Sequence, residues 1–190
     1  LALALSGCVS KAPRPTLYDF GPLPSQAADP AAVPLAALVI ADANGPAWMD
    51  SERMYYRLLY SDAQQARPYA QNRWNGAPLQ LLTQRLKSRM GQAGVKVLSP
   101  SDAAAGVPLL HIEVDDFSQN FDSQTASSGR ITLRASVLRQ HRLIDQKTFS
   151  RSRPAATADA AGGAAALAAA SDAIAADMLS WLASLPPQTQ

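Results

Sequence analysis

The most nucleophilic side chain available to this 190-residue chain is its single cysteine, Cys8, placed directly after Leu5-Ser6-Gly7. Leu1 to Leu5 reads as the tail of an apolar signal-peptide core that lacks its charged front. Small residues at 6 and 7 fit a narrow peptidase cleft, so Leu5-Ser6-Gly7-Cys8 has the form of a bacterial lipobox. In that chemistry the Cys8 thiol takes a diacylglycerol. Cleavage then makes Cys8 the N-terminus, and its amine can take a third acyl chain. Each buried methylene contributes roughly 0.8 kcal/mol, so two or three chains hold a protein at a bilayer. The plainer alternative, a buried cysteine behind an apolar run, fits poorly with the polar, Pro-rich stretch that follows. Val9 and Ser10 come next, and neither is Asp. By analogy with the usual lipoprotein sorting signal, the expected location is the periplasmic face of the outer membrane.

No other group of residues makes a comparable case. His111 and His141 are the only histidines, and neither has a second histidine at ligand spacing. His111, Glu113 and Asp115 would share one face of a strand, which is a thin hint of a metal site and more simply a solvated face. Asp115-Asp116 is a doubled carboxylate, but neighbours on a strand point to opposite faces, which disfavours a catalytic pair. An acidic loop at a strand end is the plainer account. There is no G-x-S-x-G, phosphate-binding loop or dinucleotide glycine pattern. The expectation is a protein that is not an enzyme, with no metal, and with no cofactor beyond covalent acyl groups on Cys8.

Composition narrows the rest. The chain is long enough for one domain with a core. Its net charge of +2, from 17 basic and 15 acidic residues, predicts no general attraction to nucleic acid or anionic membranes. One cysteine excludes an internal disulfide framework. The Ala-rich stretch from Ala155 to Leu185 is long enough to span a bilayer, but Asp159, Asp172 and Asp177 oppose that.

These residues need elements to position them. Residues 1–7 read as the end of a signal peptide and 8–33 as a lipidated tether. Within Ser10 to Pro34 stand Pro13, Pro15, Pro22, Pro24, Pro30 and Pro34, which favour extended or irregular chain. Leu17-Tyr18-Asp19-Phe20 interrupts the tether with a patch suited to docking, on its own domain or on a partner. The domain is expected over 34–187, with 188–190 as a tail. Leu35–Ile40 is a continuous apolar run, suited to a buried strand. Arg53–Tyr60 alternates as a strand, with a turn at Ser61-Asp62-Ala63. Gln65–Trp74 returns beside it, at an edge because Pro68 cannot donate to a ladder. A helix over about 77–91, capped by Asn75, buries Leu79, Leu82, Leu86 and Met90, with Gln84, Arg85, Lys87, Ser88 and Arg89 largely on its wet side. Val95–Leu98 makes a short strand. Leu109–Phe117, Gly129–Gln140 and Leu143–Ser150 form a meander, turning at Gln140-His141-Arg142. Acidic residues of its first strand face basic ones of the next two, from Arg130 to Arg153. Such pairs reinforce strand pairing, and an anion or phospholipid headgroup site there is the less economical reading. A last helix over about 159–185 carries the stripe Leu167, Ile174, Met178, Trp181 and Leu185, and Gly162-Gly163 weakens its first turn. The expected fold is α+β: a single mixed, mostly antiparallel sheet with two main helices packed on it.

This order of elements resembles the ABC-type transport auxiliary lipoproteins, a family that includes the lipoprotein subunit of the paraquat-inducible MCE transport system. The resemblance lies in Cys8, Leu17-Tyr18-Asp19-Phe20, the strand to Ile40, and the tyrosine-rich Met54–Tyr60. It continues in Tyr69-Ala70-Gln71-Asn72-Arg73-Trp74 before the helix, Ile112–Phe117, and the closing Ala-rich helix. One departure is Asn75-Gly76-Ala77, where members more often carry an acidic residue near the Trp. The resemblance implies a non-enzymatic part beside an MCE-domain protein and its membrane complex, in lipid transport between two membranes. A ring-forming homo-oligomer is one form such an assembly takes. Tyr18, Phe20, Tyr55, Tyr56, Tyr60, Tyr69 and Trp74 are the candidates for partner contact, because aromatics on an edge hairpin supply rigid contact area. Two other readings share the anchor: a periplasmic binding lipoprotein that encloses a small apolar ligand, and an outer-membrane assembly pilot.

Overall fold

The computed structural model describes residues 14–24, 37–102 and 106–186. Cys8 and the signal-peptide residues lie outside them. Among the described residues, eight strands form one sheet and two α-helices pack on one of its faces. The fold is α+β, as the periodicities imply.

The backbone of the sheet is a meander of three long strands, β6 (Leu109–Phe121), β7 (Ser127–Arg139) and β8 (Arg142–Pro154), paired antiparallel in sequence order. Their core-facing residues alternate. Leu110, Ile112 and Val114 face inward with Ile131, Leu133, Ala135 and Val137, and all are nearly fully buried. Only Phe149 of β8 is buried. The other edge of β6 is shared along its length. At one end β2 (Ala37–Ile40) pairs with Leu109 and Leu110, at the other β3 (Arg53–Leu58) pairs with Gln119 to Phe121, and both pairings are parallel. Asn44 bridges the gap: its N–H donates to Ile112 O at 3.0 Å and its carbonyl accepts from Val114 N–H at 2.7 Å. Beyond β2 lies β5 (Lys96–Leu98), and beyond β3 lies β4 (Asp62–Trp74).

β6 is longer than its alternation suggests, because a bulge between Val114 and Asp116 changes its phase. Asp115-Asp116 is therefore not an acidic loop at a strand end. It occupies an irregularity inside the strand, past which Phe117 turns inward and Ser118, Gln119 and Asn120 are all buried.

Residues 14–24 of the segment read as a tether belong to the fold and form a strap along one edge of the sheet. Thr16–Tyr18 forms β1, parallel to β4 with Thr16 opposite Asn72 and Tyr18 opposite Trp74. β4 itself begins at Asp62, so the turn falls at Leu59-Tyr60-Ser61, slightly earlier than Ser61-Asp62-Ala63. Pro68 sits opposite Tyr55, where the far edge of β4 carries no described strand.

Helix α1 (Pro78–Gln92) starts with proline at a first-turn position, where its missing N–H costs nothing. The N-cap is Ala77 without a side-chain bond, so Asn75 is not the cap. The backbone N–H of Asn75 instead donates to Tyr18 O at 2.7 Å. The helix ends in a Schellman motif, with Gly94 at φ +91, Gly94 N–H on Gly91 O and Val95 N–H on Met90 O. Helix α2 (Ala160–Ser184) is capped by Asp159, whose carboxylate accepts from Gly162 N–H at 2.8 Å. By length and composition α2 could cross a bilayer, but Leu167, Ile174, Met178 and Trp181 are packed in the core. Gly162-Gly163 does not delay its start. Both are buried, and a side chain on Gly163 would collide with the Gln119 amide.

Candidate functional site

Arg85 and Arg89 stand one helical turn apart on α1. They are the main departure from the expected pattern, being each only 7% exposed rather than on the wet side. Both reach Asp172 of α2 with two hydrogen bonds. Arg85 Nε and Nη2 lie 2.7 and 2.8 Å from the two carboxylate oxygens, and Arg89 Nε and Nη2 lie 2.7 and 2.5 Å from the same pair. Arg85 also donates to Gly21 O at 3.1 Å, and Arg89 to Pro24 O at 3.4 Å. One carboxylate thus locks two arginines, and the arginines lock the N-terminal segment against both helices. Burial alone would raise the Asp172 pKa. Hydrogen bonds from Arg89 and Arg85, and then their charges, outweigh it and hold the carboxyl below its usual range. The bond to Asp172 likewise raises the Arg89 pKa.

The same segment is fixed by aromatic packing. Phe20 completes a three-ring cluster with Trp74 and Phe117, its ring centroid 5.7 and 6.0 Å from theirs, and Trp74 meets Phe117 at 5.7 Å. Phe20 is 9% exposed and Trp74 2%. Both are core residues, so any part in partner contact would be as support behind the surface. The Leu17–Phe20 patch docks on its own domain.

The tyrosines are graded in exposure. Tyr55 packs edge-on against Trp48 at 5.2 Å, and Tyr56 lies 4.6 Å from Tyr69 and 5.6 Å from Phe121. Tyr18, Tyr55, Tyr56 and Tyr69 are half-buried. Tyr69 O–H donates to Gln119 Oε1 at 2.9 Å, while Gln119 Nε2 donates to Ser127 Oγ and Asp159 O. Burial pushes the Tyr69 hydroxyl pKa well up, with Tyr56 and Asp159 adding to the shift. Its proton is committed to holding the hairpin on the core. Tyr60 stands apart, 47% exposed at the β3–β4 turn beside Leu59 at 41%.

The residues weighed for metal or acid–base chemistry are engaged elsewhere or dispersed. Glu113 is ion-paired with Arg134, its direct cross-strand neighbour, and Asp116 lies 3.9 Å from Arg130. His111 faces Ser136 across the sheet, and His141 lies in the β7–β8 turn. Among the described residues no three His, Cys, Asp or Glu side chains are grouped to hold a metal ion. The space around Trp74 is filled, and the gap lined by Trp48, Met54, Tyr55, Phe117 and Leu167 has no room for a water molecule. An open groove of about 500 Å³ runs between Leu17–Gly21 and the alanine face of α2.

Sequence reasoning missed the arginine lock. A signal was present: Arg85 and Arg89 each follow a stripe residue, Leu82 and Leu86, by three positions. That places them at the stripe's border, where a helix neighbour can cover them.

The comparisons agree with this architecture. Protein XCC0632 from Xanthomonas campestris, known from a crystal structure, superposes with a TM-score of 0.74 at 22% identity, covering 88% of this chain and 95% of that one. A second crystal structure, of an uncharacterized protein, gives a TM-score of 0.68 at 15% identity over 90% of this chain and 99% of the other. At these identities the likeness is one of fold. No curated protein matches the chain. The family model described as ABC-type transport auxiliary lipoprotein component matches residues 18–179, from the strap strand to the last turns of α2, and the chain belongs to that family.

Proposed function

We propose that this chain is a non-enzymatic auxiliary lipoprotein of an ABC-linked MCE system that moves lipids or other hydrophobic compounds between two membranes. The observation that carries this reading is the family match over residues 18–179. In this account a diacylglycerol and an N-acyl chain on Cys8 moor the domain to the periplasmic face of the outer membrane. The folded body begins at the strap rather than at Pro34, and it works as a docking surface. The half-buried tyrosines Tyr18, Tyr55, Tyr56 and Tyr69 offer rigid contact area to an MCE-domain protein and to further copies of the chain. The filled interior around Trp74 favours a docking role over enclosure of a small ligand there.

The test is a pull-down of the full-length lipoprotein from detergent-solubilised envelopes, read by mass spectrometry. Enrichment of an MCE-domain protein with its permease and ATPase is the expected outcome. Enrichment of a secretin or a lipopolysaccharide-export complex instead would replace this reading with the assembly-pilot one.

A further inference from the structure

We propose that the β3–β4 turn, Leu59-Tyr60, is a second membrane contact. The domain would then stand on the bilayer by this turn and its acyl anchor together, rather than swing on a long tether. This rests on the acyl anchor at Cys8, and it goes beyond it by fixing which end of the domain meets lipid.

The argument starts from direction. β1 is parallel to β4, so tracing the chain backwards from Tyr18 to Thr16 leads toward the β3–β4 turn. Pro15 keeps Arg14 out of the helical region, so the chain holds that heading through the last described residue. Distance follows from register. Thr16 is level with Asn72, beside the pair of Arg53 and Arg73, and five residues of β3 separate that level from Leu58. At the usual strand rise this is about 17 Å, which puts Arg14 about 10 Å short of the turn. Cys8 is six residues from Arg14. Fully extended chain reaches about 20 Å over six residues, so an acylated Cys8 can reach the level of Leu59-Tyr60 and pass it.

The opposite end is out of range. β3 ends level with Phe121, and the β7–β8 turn lies at the other end of the meander, near Leu109 and Leu138. The twelve residues from Phe121 back to Leu109 span about 40 Å, which leaves that turn about 30 Å from Arg14. The anchor therefore selects one end, and that end presents an exposed leucine and tyrosine. Tyrosine is suited to a headgroup boundary, with an apolar ring and a wet hydroxyl. The lock of Arg85, Arg89 and Asp172 on Gly21 and Pro24 keeps the strap from peeling away and lengthening the leash.

The experiment places photoreactive benzoylphenylalanine at position 60, or at position 143 in the far turn, in the full-length lipoprotein. The protein is illuminated in vesicles of phosphatidylethanolamine and phosphatidylglycerol. The expected result is about tenfold more lipid adduct at 60 than at 143, the occupancy ratio that about 1.4 kcal/mol of interfacial preference gives. Equal adducts, more adduct at 143, or adducts at 60 to protein rather than lipid would each overturn the proposal. A parallel arm couples Cys8 of the unacylated chain to a maleimide-headgroup lipid. That arm tests the standing geometry even where Cys8 is not acylated naturally, so loss of the natural anchor and loss of the second contact are told apart.

Discussion

Two hairpins of this protein end in exposed apolar side chains, and they lie at opposite ends of the same sheet. The β3–β4 turn shows Leu59 and Tyr60, and the β7–β8 turn is followed by Leu143 and Ile144. Their chemistry is similar but their surroundings differ. The first is a three-residue turn on an irregular hairpin, close to the strap through which the N-terminus enters. The second is a two-residue turn at the tip of two long regular strands, backed by the C-terminal part of α2, where Trp181 donates to Asp145 at 2.7 Å and meets Phe149 at 5.6 Å. An apolar tip gains its meaning from what the chain places beside it. In the proposed geometry the near tip lies within reach of an acyl anchor on Cys8, and the far tip is held away from it by the long strands β7 and β8.

The largest expected effect comes from breaking the lock that makes this comparison definite. Asp172→Ala leaves two buried arginines without their carboxylate, and removing one partner of such a cluster costs about 3–5 kcal/mol. Thermal unfolding should show a clear loss of Tm, and hydrogen exchange should rise at residues 16–24. Unchanged exchange there would mean that the lock does not hold the strap.

Acid should weaken the same lock. The folded pKa of Asp172 is depressed, so its contribution is complete above the unfolded value, about 3.9, and is lost as pH falls through the lower folded value. Denaturant titrations should therefore show stability dropping below about pH 4, with a smaller drop in Asp172→Asn. Equal acid sensitivity in both proteins would assign the effect to other carboxylates.

A smaller effect tests how tightly α2 is seated on the arm. A side chain at Gly129 would place its Cβ 2.6 Å from Leu167 N. Gly129→Ala should cost about 1–3 kcal/mol through displacement of the helix from β7, as read by chemical denaturation. Last comes the far turn itself. Gln140 and His141 both have positive φ, at 48° and 64°, the conformation of a tight hairpin turn in which glycine is favoured. His141→Gly should stabilise the domain by up to about 1 kcal/mol in the same denaturation assay. A loss instead would show that His141 makes a contact worth more than its backbone strain.

Much of this was written in the pattern of residues. Alternation marked β7 and the first half of β6, the stripes of Leu79–Met90 and Leu167–Trp181 marked both helices, and Glu113 and Arg134 pair across the strands as their charges suggest. What escaped was set by tertiary neighbours. The bulge at Asp115 breaks the period, so the buried polar run Ser118–Asn120 reads as loop. Arg85 and Arg89 look solvent-facing until α2 supplies Asp172. β1 is three residues long among prolines, and only its pairing with Asn72–Trp74 makes it a strand. Of the aromatic candidates, the sequence could not rank exposure. Trp74 and Phe20 fill the core while Tyr60 is left outside.

The central claim is that acyl chains on one sulfur moor this domain to a membrane. Growth on radiolabelled palmitate tests it most directly: label should enter the full-length protein and be lost in Cys8→Ser, which should also leave the membrane fraction. Unlabelled wild-type protein, free in the periplasm with an unmodified thiol, would contradict the account.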